Sequence, residues 1–182
     1  MKKLRNLGIY GPAGSGKGIA SKYIAKKYGY NIINMGNIVR ALARKEHITP
    51  TRENLEKLQA KYSKIYKQDF VIEHALEKAY KSKKPVIFDG IRKPIQARLA
   101  KEKMNAKLIL VDAKPELRFE RMKKRRRTGF AETIRDFKRS EANEDKVFNL
   151  KKTFSMADYK IDNSNGERYL LRQLDRIMRK IK

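Results

Sequence analysis

The chain has 182 residues, 40% of them hydrophobic, enough to bury one core and to form a single domain spanning residues 1–182. Its 46 Lys and Arg against 20 Asp and Glu give a formal net charge of +26, a field that draws polyanions and steers phosphate-bearing ligands. It has no cysteine, which excludes disulfides and thiolate-bound metals, and no apolar run reaches the roughly 18 residues of a membrane span, so a reducing cytoplasm is the expected setting.

The opening MKKLRNLGIYG breaks into glycines too soon for a secretion signal. Leu7, Ile9 and Tyr10 instead read as a short strand that stops at GPAGSGKG. Gly11, Gly16 and Lys17 fit the G-x-x-x-x-G-K spacing of a phosphate-binding loop. Ile19, Ala20, Tyr23, Ile24 and Ala25 recur afterwards at helical spacing, which supplies the strand–loop–helix context the motif requires. In such a loop the backbone of Gly11, Pro12, Ala13, Gly14, Ser15 and Gly16 curls N–H groups inward. The helix N-terminus at Gly18 and Ile19 adds partial positive charge, and Lys17 reaches the outer phosphates as a point charge. This predicts a grip on the phosphates of a nucleoside triphosphate. The hydroxyl residue that usually follows the lysine and binds magnesium is missing, since Gly18 and then Ile19 stand there.

Residues 30–34 read as a second strand, followed by helical spacing over 36–45, 51–65 and 69–81, with Thr49, Pro50 and Thr51 marking a break and cap. PVIFDG is a continuous apolar run ending in Asp89, the mark of a strand buried on both faces. A helix over 95–103 leads to a further such strand at 108–112, ending in Asp112, which is expected as a strand-end cap. Pro115 opens a helix that runs into the basic string MKKRRR. Residues 132–143 read as helix, 159–161 as the last strand and 167–182 as a closing helix. The β/α alternation argues for a three-layer α/β/α domain on a five-stranded parallel sheet, with ligands at the carboxyl ends of the strands.

On these strings the chain resembles the nucleoside-monophosphate kinases, adenylate kinase above all. GPAGSGKG is similar to their loop, including Gly18 after the lysine, although Ile19 replaces the usual Thr. INMGNIVR resembles the element whose arginine holds the acceptor phosphate, which implies that role for Arg40 beside Gly36, with Asn37 in place of the usual Asp. FDGIRKPIQARL resembles a further element, implying that Asp89 lies near magnesium through water, that Arg92 binds phosphate and that Gln96 touches the acceptor base. In RFERMKKRRR, Arg121 and Arg125 match the pair flanking the family's lid, and Arg139 is the candidate arginine returning from beyond it. The resemblance thus implies an acceptor-binding helical insert over 36–84, a short lid over 126–139, and catalytic roles for Lys17, Arg92, Arg121, Arg125 and Arg139. The order DGIR, VDAKPELRFERMKKR, MADYKIDNSN is also similar to dephospho-coenzyme-A kinases and to a related archaeal family of P-loop kinase-like proteins, which implies an adenine contact at Asn163.

Transfer of a phosphoryl group leaves little covalent work for the protein, and converging arginines suit it because their planar forks bind phosphate oxygens and never lose charge. Against these roles stand plainer ones. Lys123, Lys124, Arg126 and Arg127 are expected to be solvated charge, and His47 and His74 structural or surface groups. The closing helix is expected to pack its apolar face on the sheet. The reading is of a kinase acting on small nucleotides. Dephospho-coenzyme-A kinase is the rival among enzymes, and an ATP-binding, RNA-associated switch the rival from another class, nucleic-acid binding being secondary. Membrane attachment is not expected.

Overall fold

The computed structural model describes residues 4–66, 68–125 and 131–181 of the chain. Five short strands pair in parallel: β1 (Leu7–Tyr10), β2 (Asn31–Asn34), β3 (Val86–Asp89), β4 (Lys107–Asp112) and β5 (Tyr159–Asp162). Their order across the sheet is β2-β3-β1-β4-β5. The inner strands β1 and β3 are buried at every position, which is why they read as unbroken apolar runs, whereas the edge strands bury only Ile33 and Ile161.

Nine helices of the described residues surround the sheet: α1 (Lys17–Tyr28), α2 (Met35–Lys45), α3 (Arg52–Tyr66), α4 (Phe70–Tyr80), α5 (Pro94–Met104), α6 (Pro115–Lys124), α7 (Ile134–Phe148), α8 (Leu150–Ser155) and α9 (Glu167–Ile181). Alternation along the strands divides the interior into two cores. Ile9, Ile87, Ile109 and Val111 meet Ile24 of α1 and Leu170, Leu174 and Met178 of α9 on one face. Tyr10, Phe88, Leu108 and Leu110 meet α2, α4 and α5 on the other, through Ile38, Phe70, Ile72 and Ala97. The closing helix therefore packs as its spacing predicts.

Capping fixes where the helices begin. Asn34 accepts from the Asn37 N–H at 2.9 Å at the start of α2, Asp69 from Ile72 at 3.2 Å at α4, and Thr133 from Asp136 at 3.1 Å at α7. Thr51 accepts from Asn54 at 3.2 Å, the cap anticipated after the Thr49–Pro50 break. Residues 36–84 fold largely as α2, α3 and α4. Of the expected lid, residues 126–130, with Arg126 and Arg127, lie outside the described residues, and residues 134–139 form the start of α7. The helix read over 132–143 continues to Phe148, where Asn149 ends it in a left-handed conformation at φ 55°, and the short α8 follows without a signal in the periodicity. Because all strands point one way, Gly11, Asp89, Asp112 and Asn163 gather at one edge of the sheet.

Candidate active site

The loop after β1 turns at two glycines that have no room for a side chain. A Cβ on Gly14, at φ +78°, would lie 2.5 Å from the Arg118 carbonyl oxygen, and one on Gly16, at φ +98°, 2.3 Å from Asn163 Nδ2. The loop is braced from beneath. Asn163, 3% exposed, donates from Nδ2 to the Ser15 carbonyl at 2.8 Å, and its N–H bonds the Asp112 carbonyl at 2.7 Å. Arg121 donates to the Asn163 carbonyl at 2.9 Å and to the Gly14 carbonyl at 3.4 Å. These contacts revise one expectation, since Asn163 is buried under the loop and has no face for an adenine, and they place Arg121 against the carbonyls of Gly14 and Asn163. Arg118, which the sequence reading passed over, is buried at 6% exposure. It donates to the carbonyls of Ala113 at 2.8 Å and Ala13 at 3.4 Å, grips Glu141 of α7 with both Nη atoms, and lies over the Phe137 ring.

Lys17 opens α1 with its Nζ donating to the Pro12 carbonyl at 3.2 Å. Burial pushes its ammonium down to a pKa of about 8, the positive charges of Arg92 and Arg125 push the same way, and Asp89 and Glu144 oppose them. One ammonium thus senses residues from β3, the loop after it, α6 and α7. At the head of α1, the helix N-terminus leaves its first N–H groups without intrahelical acceptors, facing any anion held there.

Asp89 ends β3 at 7% exposure. Its Oδ2 accepts from Asn34 Nδ2 at 2.7 Å, and its Oδ1 is buried with no hydrogen-bond partner among the described residues. Asn34 in turn accepts from Arg40 Nη2 at 3.2 Å, and the same Nη2 donates to Asn37 Oδ1 at 2.5 Å. Gly36 lies directly under this guanidinium, since an added Cβ would sit 3.1 Å from Arg40 Nη1. A chain of contacts therefore runs from Asp89 through Asn34 to Arg40. Asn37, in place of an aspartate, orients Arg40 without neutralising it.

Arg92 is held from three sides. Its Nη2 pairs with Glu144 at 3.2 Å, its guanidinium lies 5.1 Å from the Phe148 ring centroid, and its carbonyl accepts from Thr153 Oγ1 at 3.0 Å. The unforeseen α8 thus carries the residue that fastens the Arg92 backbone, and the Thr153 carbonyl accepts from Tyr10 at 3.2 Å. Gln96 departs from expectation. It is 2% exposed, its Oε1 accepts from the Arg92 and Lys93 N–H groups at 2.8 and 3.3 Å, and its Nε2 donates to Asp69 at 3.0 Å. With both ends engaged inside the protein, it shapes the Arg92 loop and presents nothing to an acceptor base.

Arg125 is exposed at the end of α6, close enough to act on Lys17. Arg139 is 75% exposed and pairs with Asp136 on its own helix at 2.9 Å. It lines a cleft of about 380 Å³ between α3 and α7 with Glu56, Asp136, Ser140, Asn143, Glu144 and Val147. Glu144 links this cleft to Arg92. Asp112 is the strand-end cap anticipated for it, accepting from the Ala113 N–H at 2.8 Å. His47 is exposed, and the His74 ring packs at a tilt against Phe70 within its helix, so neither joins the site.

For a magnesium ion the donor set is sparse. No group of three His, Asp or Glu among the described residues can enclose a metal, Ile19 packs against the α1–α9 core, and nothing lies within 4 Å of a Cβ added at Gly18. The unpartnered Oδ1 of Asp89 suits an ion carried on phosphate oxygens and reached through water.

A family model described as AAA domain matches residues 10–138. A UPF0200 protein of Hyperthermus butylicus is 32% identical over 156 residues, covering 85% of this chain and 83% of its own. The fold is similar to a shikimate kinase from Acinetobacter baumannii solved with shikimate, at TM-score 0.63, 16% identity, and coverage of 98% of this chain and 93% of that one. It is also similar to a gluconokinase from Sinorhizobium meliloti 1021, at TM-score 0.56 and 16% identity, covering 100% of this chain and 97% of that one.

Proposed function

Since the chain belongs to the AAA domain family and, through its archaeal relatives, to the UPF0200 proteins, it is a P-loop protein of kinase-like fold, and we propose that it moves the γ-phosphate of ATP to a nucleoside monophosphate. The observation that carries this reading is that the buried Asp89 carboxylate is linked through Asn34 to Arg40, while Asp89 and Arg92 both act on the Lys17 ammonium. The loop amides and Lys17 hold the donor triphosphate. Arg40 and Arg92 take the acceptor phosphate, and Arg125 meets charge on the group in transit. Such a reaction needs alignment and charge neutralisation above all, and a phosphate-oxygen acceptor demands no general base. Residues 126–139 form the lid in this reading, with Arg139 as its returning arginine. Asp89 would reach a magnesium ion carried on the triphosphate through one of the ion's water ligands, and the ion would supply further neutralisation. Arg121, Arg118, Asn163 and Gln96 act as positioning residues behind the site.

A second reading is favoured by the free Oδ1 of Asp89. If the acceptor is a hydroxyl, as in dephospho-coenzyme A, Asp89 takes the hydroxyl proton while the oxygen bonds to the γ-phosphorus and ADP leaves. A coupled assay of ADP formation with nucleoside monophosphates and dephospho-coenzyme A separates the two. Monophosphate-dependent ADP production supports the first reading, dephospho-coenzyme-A dependence supports the second, and ADP production that no acceptor stimulates overturns both.

A further inference from the structure

The excess positive charge is treated differently on the two sides of the sheet. Around the candidate site three arginines are met by acids: Arg92 by Glu144 at 3.2 Å, Arg118 by Glu141, and Arg139 by Asp136 at 2.9 Å. The layer made by α1 and α9 lacks such neutralisation. α1 contains no acidic residue, and α9 contains only Glu167 and Asp175. Asp175 is used inward, accepting from Tyr23 at 2.8 Å and Tyr28 at 2.7 Å and pairing with Lys27 at 2.8 Å. On the outside of α9, Arg168, Arg172, Arg176 and Arg179 are all exposed, and among the described residues none of the four pairs with a carboxylate.

Their spacing places the four on one line. At about 100° per residue they fall within an arc of about 80°, opposite the face that buries Leu170, Leu174, Ile177, Met178 and Ile181. At about 1.5 Å of rise per residue, the guanidinium-bearing positions follow one another at about 6, 6 and 4.5 Å. That is of the order of the step between successive phosphates in an extended strand. Each is an arginine, whose planar fork takes phosphate oxygens in pairs. Tyr169, 38% exposed at the border of the line, offers a ring on which a base can stack.

We propose that the outer face of α9 is a docking site for a single-stranded polynucleotide, held by its phosphodiester backbone along Arg168, Arg172, Arg176 and Arg179. Two features select this partner. The helix lies against α1, so it presents a broad face and not the lone ridge that enters the major groove of a duplex. A lipid surface would be met by exposed apolar residues beside the charges, and Tyr169 is the one exposed large hydrophobic residue of α1 and α9. The line begins at the edge of the sheet where Asn163 supports the loop, yet it shares no residue with the candidate site, so its fate is independent of the kinase reading.

The test is fluorescence anisotropy of a labelled 20-nucleotide single-stranded RNA of mixed sequence with the full chain, over a range of salt concentrations. Changing the four arginines to glutamine is expected to weaken binding at least about 30-fold at 0.1 M salt. It should also flatten the slope of log K against log salt by about 3, since a single strand contributes about 0.7 per phosphate contact. Tyr169→Ala should cost about fivefold. Single-stranded DNA of the same sequence should bind within a few-fold, and Lys17→Ala should bind like the parent. A control variant with Lys78, Lys81, Lys83 and Lys84 changed to glutamine loses the same charge from exposed positions elsewhere, and should cost less than threefold. Equal losses in the two quadruple variants would overturn the proposal, since the whole field and not the line would then be responsible. It would equally be overturned by tighter binding of a duplex of the same length, or by binding to phosphatidylserine vesicles without binding to RNA.

Discussion

The two halves of the candidate site are made of different material. The donor half is backbone: a loop whose glycines exclude side chains and whose carbonyls are clamped by Asn163, Arg121 and Arg118. The acceptor half is side chain: Arg40 leans on Asn34 and Asn37, while Arg92 leans on Glu144 and Phe148. On the proposed reading, a backbone cradle that is built before ligand arrives fixes one chemistry, the triphosphate. On the same reading, long guanidinium arms held by side chains, among them Asn34, Asn37 and Glu144, fix a charge requirement and leave the rest of the acceptor open.

Lys17→Ala should break the donor half with the largest effect, lowering turnover about 10³-fold while the fold is kept, as read by steady-state ADP release and thermal melting. Arg92→Ala should act on the acceptor half alone. A charge-assisted contact of about 1.5–3 kcal/mol corresponds to a rise of about 10- to 100-fold in acceptor KM, with ATP affinity unmoved. Glu144→Gln removes the carboxylate that occupies Arg92, and should lower the same KM a few-fold. An equal change in ATP affinity for either variant would mean that the halves are not separate.

Lys17 makes the donor half pH-sensitive in a defined direction. Its pKa lies near about 8 in the free site, and phosphate raises it on binding because only the ammonium pairs with the anion. Binding therefore takes up a proton above pH 8. Nucleotide affinity should be flat below that value and weaken as pH rises past it, by up to about tenfold per unit, in calorimetric titrations. Lys17→Arg should remove the slope. The smallest effect is expected at Gly18, where an added Cβ meets nothing within 4 Å. Gly18→Ser should fold normally and tighten magnesium-dependent nucleotide binding a few-fold, by returning the hydroxyl that the loop lacks.

This difference in material also explains what the sequence made legible. The loop motif, the buried strands and the amphipathic helices are written locally, in spacing and periodicity, and each appears at its place in the structure with boundaries shifted by a few residues. The supports of the arginines are not local. Arg118 meets Glu141 from 23 residues away, Asn34 meets Asp89 from 55, and Thr153 reaches Arg92 from 61. Glu144 stands in the string EANEDK with no local pattern that points to Arg92, and the six residues of α8 are too few to show a period. Gln96 misled because a motif match gives a position and says nothing about burial. The one local hint missed was Arg118, three residues before Arg121 on the same helical face.

The central claim is that one cleft holds a donor triphosphate and an acceptor phosphate side by side. Competitive titration of diadenosine pentaphosphate against ATP tests it directly, with the parent chain and the Arg40→Ala, Arg92→Ala double variant. Joining the two ends should give the bridged compound an advantage over ATP of about 10² or more in the parent chain. In the double variant that advantage should collapse while ATP affinity stays the same. Equal affinity for the two compounds in the parent chain, or an advantage that survives loss of both arginines, would contradict the account.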